Sequence, residues 1–261
     1  MSLRFEPSRL GGNKWAEHRG IIDIARAMSV SVNAYKQVFM QCHTLGEPNG
    51  YGKPFVDRME ELVKFMHFTE NAEEHRQALV DGFRAVAVTY EQLLAEGNTS
   101  KRELSRGVVS GICEQVTYAL LQKLSGREII RDVIPFHGAD RLVASNSKNL
   151  DFAAGIRYGR DLYWELFECK QCPDDFMEPY LWRNSDDPQR RNSWKRSQVR
   201  LALAILDAGT KFVSVAVVSF RPKPDVMRTL RRLEELPPGI DVYDKQSAWE
   251  LLPWCQILGD A

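Results

Sequence analysis

Leu162–Gln171 reads LYWELFECKQ, and the fold turns on it. Aromatic and aliphatic residues fill its first half, glycine and proline are absent, and Pro173-Asp174-Asp175 closes it. Such a segment is expected to be a β-strand. Side chains alternate along a strand, so Glu168 and Lys170 share one face and Cys169 takes the other. The apolar run Tyr163, Trp164, Leu166 and Phe167 makes the strand a central one, where charged groups need a reason to be present.

The flanking segments extend this reading. Upstream, Leu150–Gly155 is a short strand candidate, and Tyr158-Gly159-Arg160-Asp161 is a turn. An antiparallel pairing across that turn brings the Asp151 carboxylate close to that of Glu168. Further upstream, Glu128–Pro135 (EIIRDVIP) is strand-like. Downstream lies a polar, charged loop, Arg183–Ser197, followed by an apolar helix from about Trp194 to Ala208 that Gly209 closes. Lys211–Phe220 (KFVSVAVVSF) is β-branched almost throughout, as in a buried central strand. An amphipathic helix is expected at Val226–Leu236 and a last strand at Ile240–Tyr243.

The first part of the chain reads as helices. They cover 21–43, 54–67 and 71–95, with GEPNGYG (46–52) interrupting and Gly97 terminating. A further helix begins after Thr99-Ser100, where Glu103 supplies a partial capping signal, and runs through Glu114 to about Leu124. The order from residue 100 onward is helix, three strands, helix, strand, helix, strand. This is an α/β arrangement with a mixed sheet, preceded by a helical region. The expected division is a helical part at 1–98 and an α/β domain at 99–261, with no flexible linker between them.

Composition limits the function classes. The 261 residues are 44% hydrophobic and 27% charged, as in ordinary globular proteins. No apolar run approaches the roughly 20 residues that span a bilayer, and MSLRFEPSRL lacks a secretory core, so a cytoplasmic location is the default expectation. Lys plus Arg balance Asp plus Glu at 35 each, so no overall basic charge advertises nucleic acid. A local basic face can still serve phosphates. The five cysteines are scattered and read as thiols. Cys169-Lys-Gln-Cys172 has knuckle spacing but no second pair, so zinc is not expected.

Two carboxylates and a lysine on one sheet face suit phosphodiester hydrolysis. Neighbouring carboxylates repel unless a cation lies between them. Magnesium prefers oxygen donors and retains several waters. It polarises a phosphoryl oxygen and makes a bound water more acidic. Lys170 would orient that water and offset charge in the transition state.

Asp151 followed, after 16 intervening residues, by Glu168-Cys169-Lys170 resembles the signature of the PD-(D/E)xK, or restriction-endonuclease-like, nucleases. Leu150 stands where that signature has proline. The resemblance covers roughly residues 100–220 and implies a mixed central sheet flanked by helices, with a helical N-terminal region. It implies catalytic roles for Asp151, Glu168, Lys170 and Glu114, and places Glu114, on the preceding helix, with Asp151 and Glu168 as a metal ligand. Lys195 and Gln198 match the residues that the helix after the hairpin often contributes. The implied activity is a magnesium-dependent endonuclease acting on DNA, of restriction or phage-defence type, with manganese able to replace magnesium. A homodimer is expected on symmetry grounds, since cutting both strands needs two sites or two events.

Other readings stand beside these. Glu168 and Lys170 also read as a cross-strand ion pair on a solvated face. Glu114 reads equally as a solvent-facing helix residue. Arg183, Arg190, Arg191, Lys195, Arg196 and Arg200, with Trp182 and Trp194 nearby, form either a phosphate-contacting surface or a plain charged face. Asp161 and Glu165 are read as structural. The rival function is a non-catalytic module that keeps a nuclease-like fold and binds nucleic acid or protein.

Overall fold

The structure is a computed structural model that describes residues 4–7, 15–28, 30, 34, 37–38, 41, 50–97, 99–125, 129–136, 149–158, 161–170, 173–207, 213–219 and 240–243. The chain divides into two compact units, residues 13–123 and residues 1–12 with 124–261. This division differs from the sequence-based one at 98. The helix starting at residue 101 falls with the helical unit, and the first residues of the chain fall with the sheet.

The helical unit contains α1 (Arg19–Met28), α2 (Lys53–Val63), α3 (Ala72–Ala95) and α4 (Lys101–Ser125). Residues 29–43, expected as a continuation of the first helix, lie largely outside the described residues. Two glycines let α1 and α3 approach closely. A Cβ on Gly82 would stand 2.7 Å from Ile24 Cγ1 and 2.8 Å from the Gly20 carbonyl oxygen. An aromatic cluster fills the core: Tyr51 meets Phe55 edge-on at 4.5 Å between ring centroids, and Phe55 meets Phe83 at 5.7 Å. The capping signal at Ser100–Glu103 is complete. Ser100 N–H and Oγ–H donate to the Glu103 carboxylate, and Glu103 N–H donates back to Ser100 Oγ.

The second unit combines helices with a six-stranded mixed sheet in the order β1-β2-β3-β4-β5-β6. The strands are β1 (Arg4–Pro7), β2 (Ile129–Phe136), β3 (Leu150–Tyr158), β4 (Asp161–Lys170), β5 (Val213–Ser219) and β6 (Ile240–Tyr243). β1–β2, β2–β3 and β3–β4 are antiparallel, and β4–β5 and β5–β6 are parallel. A parallel neighbour requires a crossover. Between β4 and β5 the chain forms α5 (Pro173–Leu181), α6 (Pro188–Lys195) and α7 (Gln198–Asp207).

Three sequence expectations are corrected here. The N-terminal region contributes a strand, β1, as well as helices. Pro173-Asp174-Asp175 ends β4 but also opens a helix, because proline fits the first helical turn where no N–H partner is needed. The apolar helix expected at 194–208 is α7, which starts at Gln198, and the charged stretch before it, expected as a loop, contains a further helix, α6. Asp187 caps α6 by accepting from Gln189 N–H at 2.8 Å, and Ser197 Oγ accepts from Arg200 N–H at 3.2 Å to start α7. The expected helix at 226–236, with Arg228, Arg231 and Arg232, lies outside the described residues, as do Gly159, Arg160, Cys42, Cys172 and Cys255.

One register row organises the core of this unit. Ala153 pairs with Leu166, Leu166 with Val215, and Val215 with Ile240. The buried Ala153, Leu166 and Ile240 pack with Phe176 and Met177 of α5 and with Val199, Ala202 and Ile205 of α7. Those two helices therefore cover the face that carries this row.

Candidate active site at one end of the sheet

Asp151 lies two residues before Ala153, and Glu168 two residues after Leu166. The strands run antiparallel, so the two acids fall side by side in the next row, on the helix-covered face. Lys170 lies two residues further along β4 on that same face and forms an ion pair with Glu168 Oε1. The Glu168 side chain has no solvent exposure, whereas that of Lys170 is 25% exposed. Asp151 is half-buried and its Oδ2 accepts the main-chain N–H of Cys169 at 2.7 Å. That bond ties the end of β3 to the residue between Glu168 and Lys170. Cys169 itself is buried and in no disulfide.

The electrostatics follow from this packing. Burial pulls the Lys170 ammonium toward a lower pKa, but the Glu168 carboxylate, then Asp151, outweighs it, and the pKa stands above the ordinary lysine value of 10.5. Lys170 is therefore a fixed cation throughout the neutral range. A cation flanked by two carboxylates at one sheet end is a place where phosphate oxygens, water and a divalent ion can be organised.

Among the described residues no group of three or more His, Cys, Asp or Glu side chains converges as a metal site. Asp151 and Glu168 form a pair. Glu114, expected as a further ligand, stands on α4 in the helical unit, where Ser110 Oγ donates to its Oε1 at 3.2 Å. Glu165 lies on the opposite sheet face, as its position in the strand implies, and is 3% exposed.

The expected phosphate contacts are sorted by the helices after the hairpin. Arg190 and Arg191 are exposed and turn toward the start of α6. Arg190 Nε lies 3.8 Å from Asp187 Oδ2, and Arg191 donates to the Asp186 carbonyl at 3.1 Å. Lys195 is exposed at the end of α6, not at the start of the apolar helix as the sequence suggested. Gln198 begins α7, and its Nε2 donates to the Asn149 carbonyl at 3.0 Å. The α7 start is thereby held to the residue that precedes β3, two positions from Asp151. Arg196 and Gln198 also line a cavity between α5, α6 and α7. Sequence reasoning gave no role to Asp175 and Asn192, which line this cavity too, because it read their segments as a turn and a loop. The Asp-Pro pair at 187–188, a helix start signal, was the available clue.

No helix among the described residues is long and apolar enough to cross a membrane. Comparison of the chain with models of known protein families, with curated proteins and with solved structures finds no match.

Proposed function

We propose that the sheet unit is a magnesium-dependent nuclease that hydrolyses phosphodiester bonds of DNA, and that its sheet is a restriction-endonuclease-like core. The observation that carries the reading is the convergence of Asp151, Glu168 and Lys170 on one face at one end of β3 and β4. The order of three antiparallel strands, helices and a parallel strand within the sheet unit supports it.

The donor set suits a hard cation. Asp151 and Glu168 offer carboxylate oxygens, and magnesium is commonly held by one or two carboxylates, with water and substrate phosphate filling the rest. When bound, the ion supplies Lewis-acid polarisation of a phosphoryl oxygen and a more acidic water. The chain's own residues do the remaining work. Asp151, anchored by the Cys169 amide, keeps its carboxylate at a set position beside β4. Lys170, held on the same face by its ion pair with Glu168, donates hydrogen bonds to the attacking water or to a non-bridging oxygen and offsets developing negative charge. Phage defence or restriction is the biological setting proposed, with a homodimer as the cutting form and the cytoplasm as its location.

A second reading has one observation in its favour. Glu168 is fully buried and already neutralised by Lys170, as in a structural ion pair. A non-catalytic nucleic-acid or protein-binding module would keep such a pair. Plasmid DNA incubated with the protein and either magnesium or EDTA separates the two. Nicking or linearisation with magnesium alone, absent in Asp151→Asn, is the expected result. DNA and RNA left intact by wild type and variant alike would favour the binding module.

A further inference from the structure

A cavity of about 310 Å³ opens between α5, α6 and α7. That is the low end of ligand pockets, which run from about 300 to 1,000 Å³. Its lining is chemically divided. Phe176 and Pro179 supply an apolar surface, Asp175 and Asn192 supply an acceptor and an amide, and Arg196 supplies a cation. The α7 start at its edge is already capped, since Ser197 Oγ accepts the Arg200 amide. The cavity's recognition chemistry is therefore that of side chains.

This set discriminates between ligands. Inorganic phosphate would meet Arg196 but also the Asp175 carboxylate, which repels an anion at short range. A purely apolar ligand would leave the polar side chains of the lining without use. A nucleotide uses both the apolar and the polar part of the lining. Its phosphate pairs with Arg196, the edge of its base hydrogen-bonds to the Asn192 amide and the Asp175 carboxylate, and its face lies on Phe176 and Pro179. Position adds to the match. Gln198 lines the cavity and donates to the Asn149 carbonyl, two residues before Asp151.

We propose that this cavity holds one unstacked nucleotide of the nucleic-acid strand next to the cut site, with Asp175, Asn192 and Arg196 as its recognition residues. The strand context rests on the nuclease reading; the nucleotide chemistry of the cavity does not.

Ligand-observed NMR on the full chain in EDTA tests it, with dAMP, dCMP, dGMP, dTMP and orthophosphate as probes. At least one mononucleotide is expected to bind, and orthophosphate is expected to compete about tenfold more weakly or less. Asn192→Ala, Arg196→Ala and Asp175→Ala should each weaken the nucleotide about tenfold, whereas Asp151→Asn should bind it as wild type does. All three substituted side chains are on exposed residues, so circular dichroism should report an unchanged fold. The proposal is overturned if no mononucleotide binds, if the three variants bind as wild type does, or if orthophosphate binds as tightly as the nucleotide. Nucleotide binding with intact plasmid would support the cavity and remove the nuclease reading. Cut plasmid with no nucleotide binding would remove the cavity's role alone.

Discussion

Asp151 Oδ2 accepts the main-chain N–H of Cys169 at 2.7 Å, so a side chain of β3 holds the backbone of β4 between Glu168 and Lys170. The same carboxylate thus has a structural and a chemical task, and substitutions can part them. Asn keeps an acceptor oxygen and loses the charge. Asp151→Asn should stay within about 1 kcal/mol of wild-type stability while losing nearly all DNA cleavage. Asp151→Ala loses the acceptor too and should cost about 1–3 kcal/mol. Urea unfolding alongside a nicking assay reads both effects. Equal stability losses in the two variants would show that the amide bond contributes nothing.

The Glu168–Lys170 pair predicts a non-additive pattern. Lys170→Met leaves a carboxylate with no solvent exposure and without its ion-pair partner, which should destabilise the sheet unit by about 3–5 kcal/mol. Removing both charges relieves that cost. The double variant Glu168→Gln with Lys170→Met should recover most of the stability and none of the activity. Additive losses in denaturant titrations would contradict the pairing.

His18 gives the helical unit a pH dependence. Its Nδ1 accepts the Gly20 N–H at 3.1 Å at the start of α1, so the ring proton sits on Nε2, which faces Thr89 Oγ1. Burial holds its pKa below the ordinary 6.5. Below pH 6.5 the unfolded chain gains a proton that the folded one resists, so stability is full above that value and declines as pH falls through the folded pKa. His18→Asn retains a capping acceptor without titrating. Thermal melts across this range should slope for wild type and be flatter for His18→Asn. Parallel slopes would rule His18 out.

The α1–α3 contact predicts a steric cost. Gly82→Ala places a methyl 2.7 Å from Ile24 Cγ1 and 2.8 Å from the Gly20 carbonyl oxygen, and the helices must separate to accept it. A loss of about 1–3 kcal/mol is expected, despite alanine's better helix propensity. A more stable variant would mean that the helices are farther apart than described.

Much of this was legible in local sequence. Strand β4 and its partner β3 declare themselves by aromatic and β-branched residues between turn signals, and alternation then places Glu168 and Lys170 together. The helix after Ser100 announces itself through its capping residues. Elements without an apolar pattern escaped. None of the residues of α6 is buried, so no hydrophobic stripe marks RRNSWK as helical. The four residues of β1 pair with β2 across more than a hundred positions, a long-range choice that no local signal encodes. The Gln198–Asn149 bond, spanning 49 residues, was hidden for the same reason. The place of Glu114 was read from resemblance and not from any pattern in its own helix.

Manganese titration followed by electron paramagnetic resonance addresses the claim that Asp151 and Glu168 share a divalent cation. The full chain should take up one manganese ion that magnesium displaces, and Asp151→Asn and Glu168→Gln should each weaken it by about tenfold or more. A spectrum of free manganese at all protein concentrations, or binding that both substitutions leave unchanged, would contradict the metal centre on which the nuclease reading depends.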